Sequence, residues 1–124
     1  MLYYFIINGR EDVRRKAEPD VKRQLEMYPV NHLIYFTEGI GDGTRFVHIY
    51  CDLHQKEEVC FVACGGCGIL NEVASGIVGF ADAWHTVGYL SADGIEIVEY
   101  RTILHVTFDV TDYFAETFER FCGL

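Results

Sequence analysis

Apolar residues along the chain occur in two alternating patterns, short continuous runs and positions three or four residues apart. The runs at residues 3–7, 32–37, 59–63 and 86–90 have the length of strands, and residues 59–63 are apolar throughout. The segments between these runs have helical periodicity. Because strands that alternate with helices form a parallel sheet covered on both faces, the sequence predicts a three-layer α/β/α domain with a mostly parallel sheet.

The first predicted helix lies between the first two strands. Proline suits the first turn of a helix better than its middle, so we expect this helix to begin near Pro19 and to end at Pro29. Residues 9–17 are then expected to form a loop or a short separate turn. The expected buried positions of the helix are Val21, Leu25 and Tyr28.

The second and third predicted helices flank the third strand. Asp42 is expected to cap the second helix, because a carboxylate can accept a hydrogen bond from the N–H groups of the first turn. The third helix is expected to end near Gly79. The expected inner positions are Phe46, Tyr50 and Leu53 in the second helix and Leu70, Val73, Ala74 and Ile77 in the third.

The last part of the chain has a different pattern. Residues 104–110 alternate between apolar and polar side chains, which indicates a half-exposed strand, and residues 95–100 are a candidate hairpin partner for it. Asp112 is expected to open a last helix. The aromatic side of that helix would consist of Phe114, Phe118 and Phe121.

Size and composition indicate one domain spanning residues 1–124, since half of the residues are hydrophobic and can form a core. No apolar run reaches the roughly 18 residues of a membrane span. No basic residue precedes the apolar N-terminal run, so we expect no signal peptide. Five cysteines, an odd number without an export signal, indicate free thiols in a reducing compartment, and we therefore expect a cytoplasmic protein.

Charge is distributed unevenly along the chain, whose net charge is −9. Residues 1–23 contain six of the ten lysines and arginines, whereas the remainder is strongly acidic. An acidic body argues against nonspecific binding of nucleic acid and against docking on anionic lipid. The basic segment 10–23 is either a solvated surface or a neighbour of a triphosphate, since it follows the first strand, where ligands bind in open α/β sheets.

A glycine-rich turn connects the third strand to the third helix. Gly65, Gly66 and Gly68 follow the strand directly and precede the helical pattern. Glycines let backbone N–H groups approach an anion, and the helix N-terminus adds the positive end of its dipole. The pattern therefore indicates either a phosphate-binding turn or a tight strand-to-helix turn without a ligand.

Three motifs resemble one known family. Residues 65–73, Gly-Gly-Cys-Gly-Ile-Leu-Asn-Glu-Val, resemble the Gly-Gly-Asp-Gly-Thr-Leu-Asn-Glu-Val signature of the diacylglycerol kinase catalytic domain, which bacterial lipid kinases share and NAD kinases share more loosely. Residues 4–8, Tyr-Phe-Ile-Ile-Asn, resemble the first strand of that family, which ends in Asn-Pro. Residues 35–38 with the Gly-Asp-Gly at 41–43 resemble its Thr-Glu…Gly-Asp-Ala segment, so the similarity extends from residue 3 to about residue 90.

The resemblance implies a nucleotide-binding domain that moves the γ-phosphoryl group of ATP, with Mg²⁺, to a lipid hydroxyl. It implies a second, β-rich domain that builds the lipid cleft and supplies further catalytic groups, so a lipid substrate and a separate β-rich chain are the expected partners. It leaves the catalytic residues unknown. The nucleotide contacts that it implies are Asn8, Thr37, Gly65, Gly66, Cys67, Gly68, Ile69, Asn71 and Glu72.

Several positions depart from the family pattern. Cys67 replaces the signature aspartate and Ile69 replaces its threonine, while residues 91–96 keep little of the family's Pro-x-Gly-Thr-Gly-Asn-Asp-Phe. Because the β-rich domain is also not found among the 124 residues, we expect this chain alone to be inactive and ATP binding to be weak or lost. The alternative is a degenerate, non-catalytic interaction or regulatory module, for which a homodimer through the aromatic tail is the expected assembly.

Cysteine and histidine chemistry offers further alternatives. A Cys-x-x-Cys pair at the start of a helix is typical of redox proteins, and Cys64 and Cys67 have that spacing. Four zinc ligands are also available, but two of them would lie near the end of the second helix, away from the glycine turn. They are Cys51, His54, Cys64 and Cys67. The five histidines are scattered and form no triad with a serine, so we expect neither a metal site nor a hydrolase.

Overall fold

A computed structural model describes residues 1–80, 84–91 and 94–98, and they form a sheet of five strands with three helices. The elements in chain order are β1 (Leu2–Ile7), α1 (Glu11–Met27), β2 (His32–Phe36), α2 (Asp42–Leu53), β3 (Val59–Cys64), α3 (Cys67–Ile77), β4 (His85–Ser91) and β5 (Gly94–Val98). The strand order is β2-β1-β3-β4-β5. The first four strands run parallel, and β5 pairs antiparallel with β4.

The sheet separates two layers of helix. On one face, α2 and α3 pack against a buried cluster that includes Ile6 and Phe61. On the other face, α1 packs against a cluster that includes Phe5 and Val62. All six residues of β3 are buried, as a central parallel strand requires. The predicted three-layer α/β/α fold with a mostly parallel sheet is therefore confirmed.

Helix α1 begins at Glu11, so the prediction that residues 9–17 form a loop was wrong. Pro19 lies inside the helix, where a proline removes one backbone hydrogen bond and costs roughly 3 kcal/mol. The helix continues because Ala17 and Val21, one turn apart on either side of the proline, are both buried against the sheet. Tyr28, predicted to be buried, follows the last helical residue and is 63% exposed.

Helix α2 begins differently from the prediction. Its N-cap is Gly41, which has a left-handed φ of 85°, so Asp42 is not the cap. The Asp42 carboxylate instead accepts hydrogen bonds from the Tyr35 hydroxyl at 2.6 Å and from the Glu38 N–H at 2.9 Å. The hydrogen bond from Tyr35 lowers the pKa of Asp42, and the same bond raises the pKa of Tyr35 to about 12.

The buried side of α2 is rotated relative to the expected one. Val47 and Cys51 are fully buried, while Phe46 and Tyr50 are partly buried against the same cluster. Leu53, which was predicted to be buried, is 72% exposed. Helix α3 packs closely against this side of α2, because a Cβ atom on Gly76 of α3 would lie only 2.7 Å from the carbonyl oxygen of Thr44 in α2. This close packing accounts for the rotation.

Helix α3 and the last described strands complete the fold. The four predicted inner residues of α3 are all buried, which confirms its orientation; they are Leu70, Val73, Ala74 and Ile77. Strand β5 pairs antiparallel with β4. Its predicted hairpin partner, residues 104–110, and the predicted helix at Asp112 lie outside the described residues. None of the helices in the described ranges is both long and apolar enough to cross a membrane.

Candidate functional site

The sheet topology identifies one edge as the place for a ligand. From β1 the chain moves outward to β2, then crosses back over β1 to β3 on its other side. In open parallel sheets, ligands bind in the crevice at the carboxyl ends of the strands where the order reverses. Asn8 follows β1 and Gly65 follows β3, so this crevice lies between them.

The ends of β1 and β2 are joined through Thr37. The Gly9 N–H donates to the Thr37 hydroxyl oxygen at 3.1 Å, and the Thr37 N–H donates to the Ile7 carbonyl at 2.9 Å. A Cβ atom on Gly9 would lie 1.9 Å from the Thr37 carbonyl oxygen, so only glycine fits there. Thr37 is 7% exposed, and the hydrogen of its hydroxyl remains available to a ligand.

Asn8 connects the end of β1 to the glycine turn. Its backbone N–H donates to the Cys64 carbonyl at 3.0 Å, and its side-chain oxygen accepts a hydrogen bond from the Arg10 N–H at 3.0 Å. The second bond is an Asx turn, which directs the chain into α1. The Asn8 side-chain oxygen is therefore engaged, and its amide NH₂ is the group that could reach a ligand.

The glycine turn has a backbone that other residues rarely adopt. Gly65 and Gly66 have φ values of 112° and 105°, and Gly66 has a ψ of −177°, a combination that is essentially restricted to glycine. A Cβ atom on Gly66 would meet nothing within 4 Å, so the turn is open on that side. The Leu70 N–H donates to the Gly66 carbonyl at 3.3 Å as the first bond of α3. The three preceding N–H groups, at residues 67–69, have no acceptor within the helix.

A cleft of about 460 Å³ lies beside this turn, on the face of the sheet that α1 covers. Its floor consists of the ends of β3 and β4, and its wall is the first half of α1. The lining residues are Asp12, Val13, Lys16, Ala17, Asp20, Cys64, Gly65, Gly66, Tyr89 and Leu90. Small-molecule sites commonly have volumes of about 300–1,000 Å³, so the cleft is large enough for a nucleotide moiety.

The charges of the cleft come from α1. Lys16 lies between Asp12 and Asp20 along the helix, at intervals of four residues that place all three on one side. Asp12 also pairs with Arg10 at 2.8 Å, and Asp20 with Arg23 at 3.2 Å. The cleft thus presents one ammonium and two partly compensated carboxylates.

Cys64 does not provide a reactive thiol to the cleft. It is fully buried, its Sγ donates to the Val62 carbonyl at 3.4 Å, and burial, with a smaller effect of the Asp20 charge, raises the pKa of its thiol. A redox helix would lower that pKa instead. Cys51 lies in the core on the opposite face of the sheet, so two of the four candidate zinc ligands, Cys51 and Cys64, do not meet. In residues 1–80, 84–91 and 94–98, no three His, Cys, Asp or Glu side chains are grouped as a metal site.

Two of the residues implied as nucleotide contacts lie between α2 and α3. Glu72 accepts a hydrogen bond from the Gly41 N–H, and its carbonyl accepts one from the Thr44 hydroxyl at 2.9 Å. Ile69 is 1% exposed and belongs to the core cluster on the α2 face. Both side chains therefore hold α3 against α2, and only the Ile69 N–H remains at the open end of the helix.

The structure brings together Asn8, Thr37, Gly65 and Gly66 at one edge of the sheet. Gly68 opens the first turn of α3, Asn71 is exposed further along that helix, and Cys67 is its first residue. The residues of α1 that line the cleft were not identified as site residues from the sequence. Their spacing at positions 12, 16 and 20 is a helical signal, which went unused because the helix was expected to begin near Pro19.

The six basic side chains of segment 10–23 are exposed at the start of α1 and along it. Besides the pairs of Arg10 and Arg23, Arg15 pairs with Glu11 at 3.0 Å and Arg14 with Glu18 at 3.2 Å. This arrangement is the solvated surface that one of the two interpretations predicted. Lys16 is the basic residue of the segment that lines the cleft.

Comparison with known proteins adds no family to these observations. No family model matches the chain, and no curated protein matches it significantly.

Proposed function

We propose that this chain is a nucleotide-binding domain of the lipid-kinase type, with the phosphates of the nucleotide against the backbone of the Gly65–Gly66 turn. The observation that carries the proposal is the conformation of this turn. Both glycines have positive φ values, and the turn delivers the N–H groups of residues 67–69 to the open end of α3. Backbone N–H groups and the helix dipole together favour an anion at such a position.

The surroundings of the turn support the same ligand. The cleft of about 460 Å³ adjoins Gly66 and offers apolar walls from Val13 and Leu90. Asn8 and Thr37 approach from the neighbouring strand ends, where the amide NH₂ of Asn8 and the hydroxyl hydrogen of Thr37 are left as hydrogen-bond donors. The sugar and base of a nucleotide would extend into the cleft while the phosphates stay at the turn.

Magnesium is the ion that the resemblance implies, and the donor set of the cleft is compatible with it. Magnesium sites commonly use one or two carboxylates together with phosphate oxygens. Asp12 and Asp20 are the carboxylates that line the cleft, and either one could hold the ion together with phosphate oxygens. Bound there, it would neutralise charge on the triphosphate, which two carboxylates otherwise repel.

Phosphoryl transfer to a lipid hydroxyl is the activity that the family resemblance suggests. Such a transfer needs a base for the acceptor and a cleft for the lipid, which the resemblance assigns to a β-rich domain. A separate chain that supplies that domain is the partner that fits the proposal. These 124 residues are expected to bind nucleotide weakly and to produce no phosphatidic acid from diacylglycerol without it.

A second candidate function is a non-catalytic interaction module. The position of Ile69 favours it, because a buried isoleucine replaces the threonine of the family signature and removes one hydrogen-bonding group from the turn. Under this candidate function, the glycine turn is only a structural connection between β3 and α3.

Calorimetry with magnesium-ATP distinguishes the two functions. The unaltered chain should bind, and Gly66→Ala should weaken binding at least about tenfold, since alanine cannot adopt the Gly66 backbone without strain. Gly39→Ala is the matched control, because Gly39 lies in a loop with nothing within 4 Å of an added Cβ. Absence of binding, or equal binding by Gly66→Ala, would contradict a nucleotide site at this turn.

A further inference from the structure

Strand β2 forms an edge of the sheet in the described part of the chain, where its only neighbour is β1. Exposed edge strands of native proteins usually carry charges, prolines or bulges that prevent pairing with another chain. The sequence of β2 is His-Leu-Ile-Tyr-Phe, which contains none of these. Leu33 and Ile34, on opposite faces of the strand, are 47% and 40% exposed.

The hydrogen bonds to β1 show which backbone groups of β2 point outward. The Tyr3 N–H donates to the Asn31 carbonyl, and the Thr37 N–H donates to the Ile7 carbonyl, each at 2.9 Å. In a parallel pair, alternate residues of a strand bond to the same neighbour. The odd-numbered residues of β2 therefore face β1, and the N–H and carbonyl groups of residues 32, 34 and 36 point away from the sheet.

We propose that β2 pairs antiparallel with β2 of a second copy of this chain, across a two-fold axis at Ile34. This axis places residue 34 opposite residue 34 and residue 32 opposite residue 36, so every outward backbone group meets a partner. Ile34 would contact its own copy on the α1 face, and Leu33 would contact Tyr35 on the α2 face. The strand carries no aspartate, glutamate, lysine or arginine, and His32 lies opposite Phe36, so the pairing places no like charges directly opposite each other.

A second copy fits this edge because the apolar surface continues on both sides of it. A stable interface needs roughly 1,200–2,000 Å² of buried surface, more than two short strands provide. The Arg45 guanidinium lies 3.5 Å from the Tyr35 hydroxyl, so this side of α2 adjoins β2. Ile49 and Leu53 follow Arg45 on the same side of α2, and both are exposed. Met27, the last residue of α1, and Tyr28, which follows it, are also exposed. A two-fold axis uses each of these side chains twice.

Sedimentation velocity over a wide range of protein concentration tests the proposal. The unaltered chain should form a dimer, and Ile34→Lys should weaken dimerisation at least about tenfold by placing two ammonium groups at the axis. Ile34→Pro removes an N–H that faces away from β1, which an edge strand tolerates, and should also weaken dimerisation. Val78→Lys is the matched control, since Val78 is about equally exposed at the end of α3 and should leave the dimer intact.

Hydrogen exchange on the unaltered chain provides a test that needs no variant. The amides of Ile34 and Phe36 should exchange slowly at high protein concentration and fast at low concentration. A chain that stays monomeric would overturn the proposal, as would slow exchange of these amides in the monomer, which would mean that the edge is covered within one chain. A dimer that Ile34→Lys leaves unchanged would also overturn it and would favour assembly through the aromatic tail.

Discussion

A Cβ atom placed on Gly65 would lie 2.6 Å from Cγ1 of Val13, closer than real Cβ atoms approach another atom. The glycine turn after β3 and the first turns of α1 are thus packed directly against each other. Gly65 also has a φ of 112°, so both its backbone and its surroundings require glycine. The geometry of the turn depends on this contact as much as on its own sequence.

We therefore expect Gly65→Ala to destabilise the fold by at least about 2 kcal/mol, from backbone strain of roughly 1–2 kcal/mol together with the displacement of Val13. Urea denaturation followed by circular dichroism measures the difference. Gly39→Ala, in open surroundings, should change the stability by less than about 0.5 kcal/mol. Equal stabilities of Gly65→Ala and the unaltered chain would show that α1 does not pack against the turn.

Ile69→Thr should also destabilise the fold. The resemblance suggests threonine as the favourable residue for nucleotide binding, but the Ile69 side chain lies in the core, where a hydroxyl group loses its water. Burying an unpaired hydroxyl costs about 1–3 kcal/mol. Asn71→Thr introduces the same residue at an exposed position of α3 and should be much less destabilising. The urea midpoints of the two variants are compared with that of the unaltered chain. An Ile69→Thr variant as stable as the unaltered chain would contradict the packing of α3 on α2.

The Tyr35–Asp42 hydrogen bond should be visible in the pH dependence of stability. This bond raises the pKa of Tyr35 from 10.0 to about 12, so Tyr35 stabilises the fold below pH 10 and that contribution is lost as the pH rises to about 12. The difference in unfolding free energy between the unaltered chain and Tyr35→Phe should therefore shrink across this range. Burial raises the pKa of three other tyrosines, but they are present in both proteins and cancel; they are Tyr4, Tyr50 and Tyr89. A difference that stays constant from pH 10 to 12 would show that Tyr35 is not bonded to Asp42.

Cys67→Asp should restore part of the nucleotide affinity. Cys67 is the first residue of α3, where the family signature has an aspartate that helps to organise the magnesium–phosphate site. We expect magnesium-ATP binding to tighten at least about tenfold, or roughly 1.4 kcal/mol. Without magnesium there should be no gain, because the added carboxylate repels the triphosphate. Asn71→Asp adds the same charge to an exposed site on α3, and an equal gain there would assign the effect to general electrostatics.

Two patterns that depend on burial were interpreted correctly from the sequence, whereas Tyr28 and Leu53, also predicted to be buried, are exposed. The continuous apolar run of β3 predicted a central strand, and the spacing of Leu70, Val73 and Ile77 predicted the inner side of α3. These patterns are reliable because one face of each element must leave water. The fold class was predicted because strand-length apolar runs alternate with segments of helical periodicity along the chain.

Patterns that depend on local preference were less reliable. Pro19 suggested a helix start, but burial of Ala17 and Val21 outweighs the cost of a proline inside α1. Asp42 has the chemistry of an N-cap, yet it bonds to Tyr35 across the loop from β2. Contacts of this kind join different elements and form only when the chain folds, so no pattern within one element reveals them. The charged wall of the cleft was not predicted because the expected helix start near Pro19 left residues 12 and 16 outside α1.

Amide chemical-shift mapping tests the central claim, nucleotide binding at the glycine turn, most directly. The ¹⁵N-labelled chain is titrated with ATP in the presence and absence of magnesium. We expect the largest shifts at Gly66, Gly68 and Ile69, smaller shifts at Asn8 and Lys16, and a requirement for magnesium. Absence of shifts at the turn, or shifts confined to another surface of the molecule, would contradict the claim and leave the glycine turn as a structural connection.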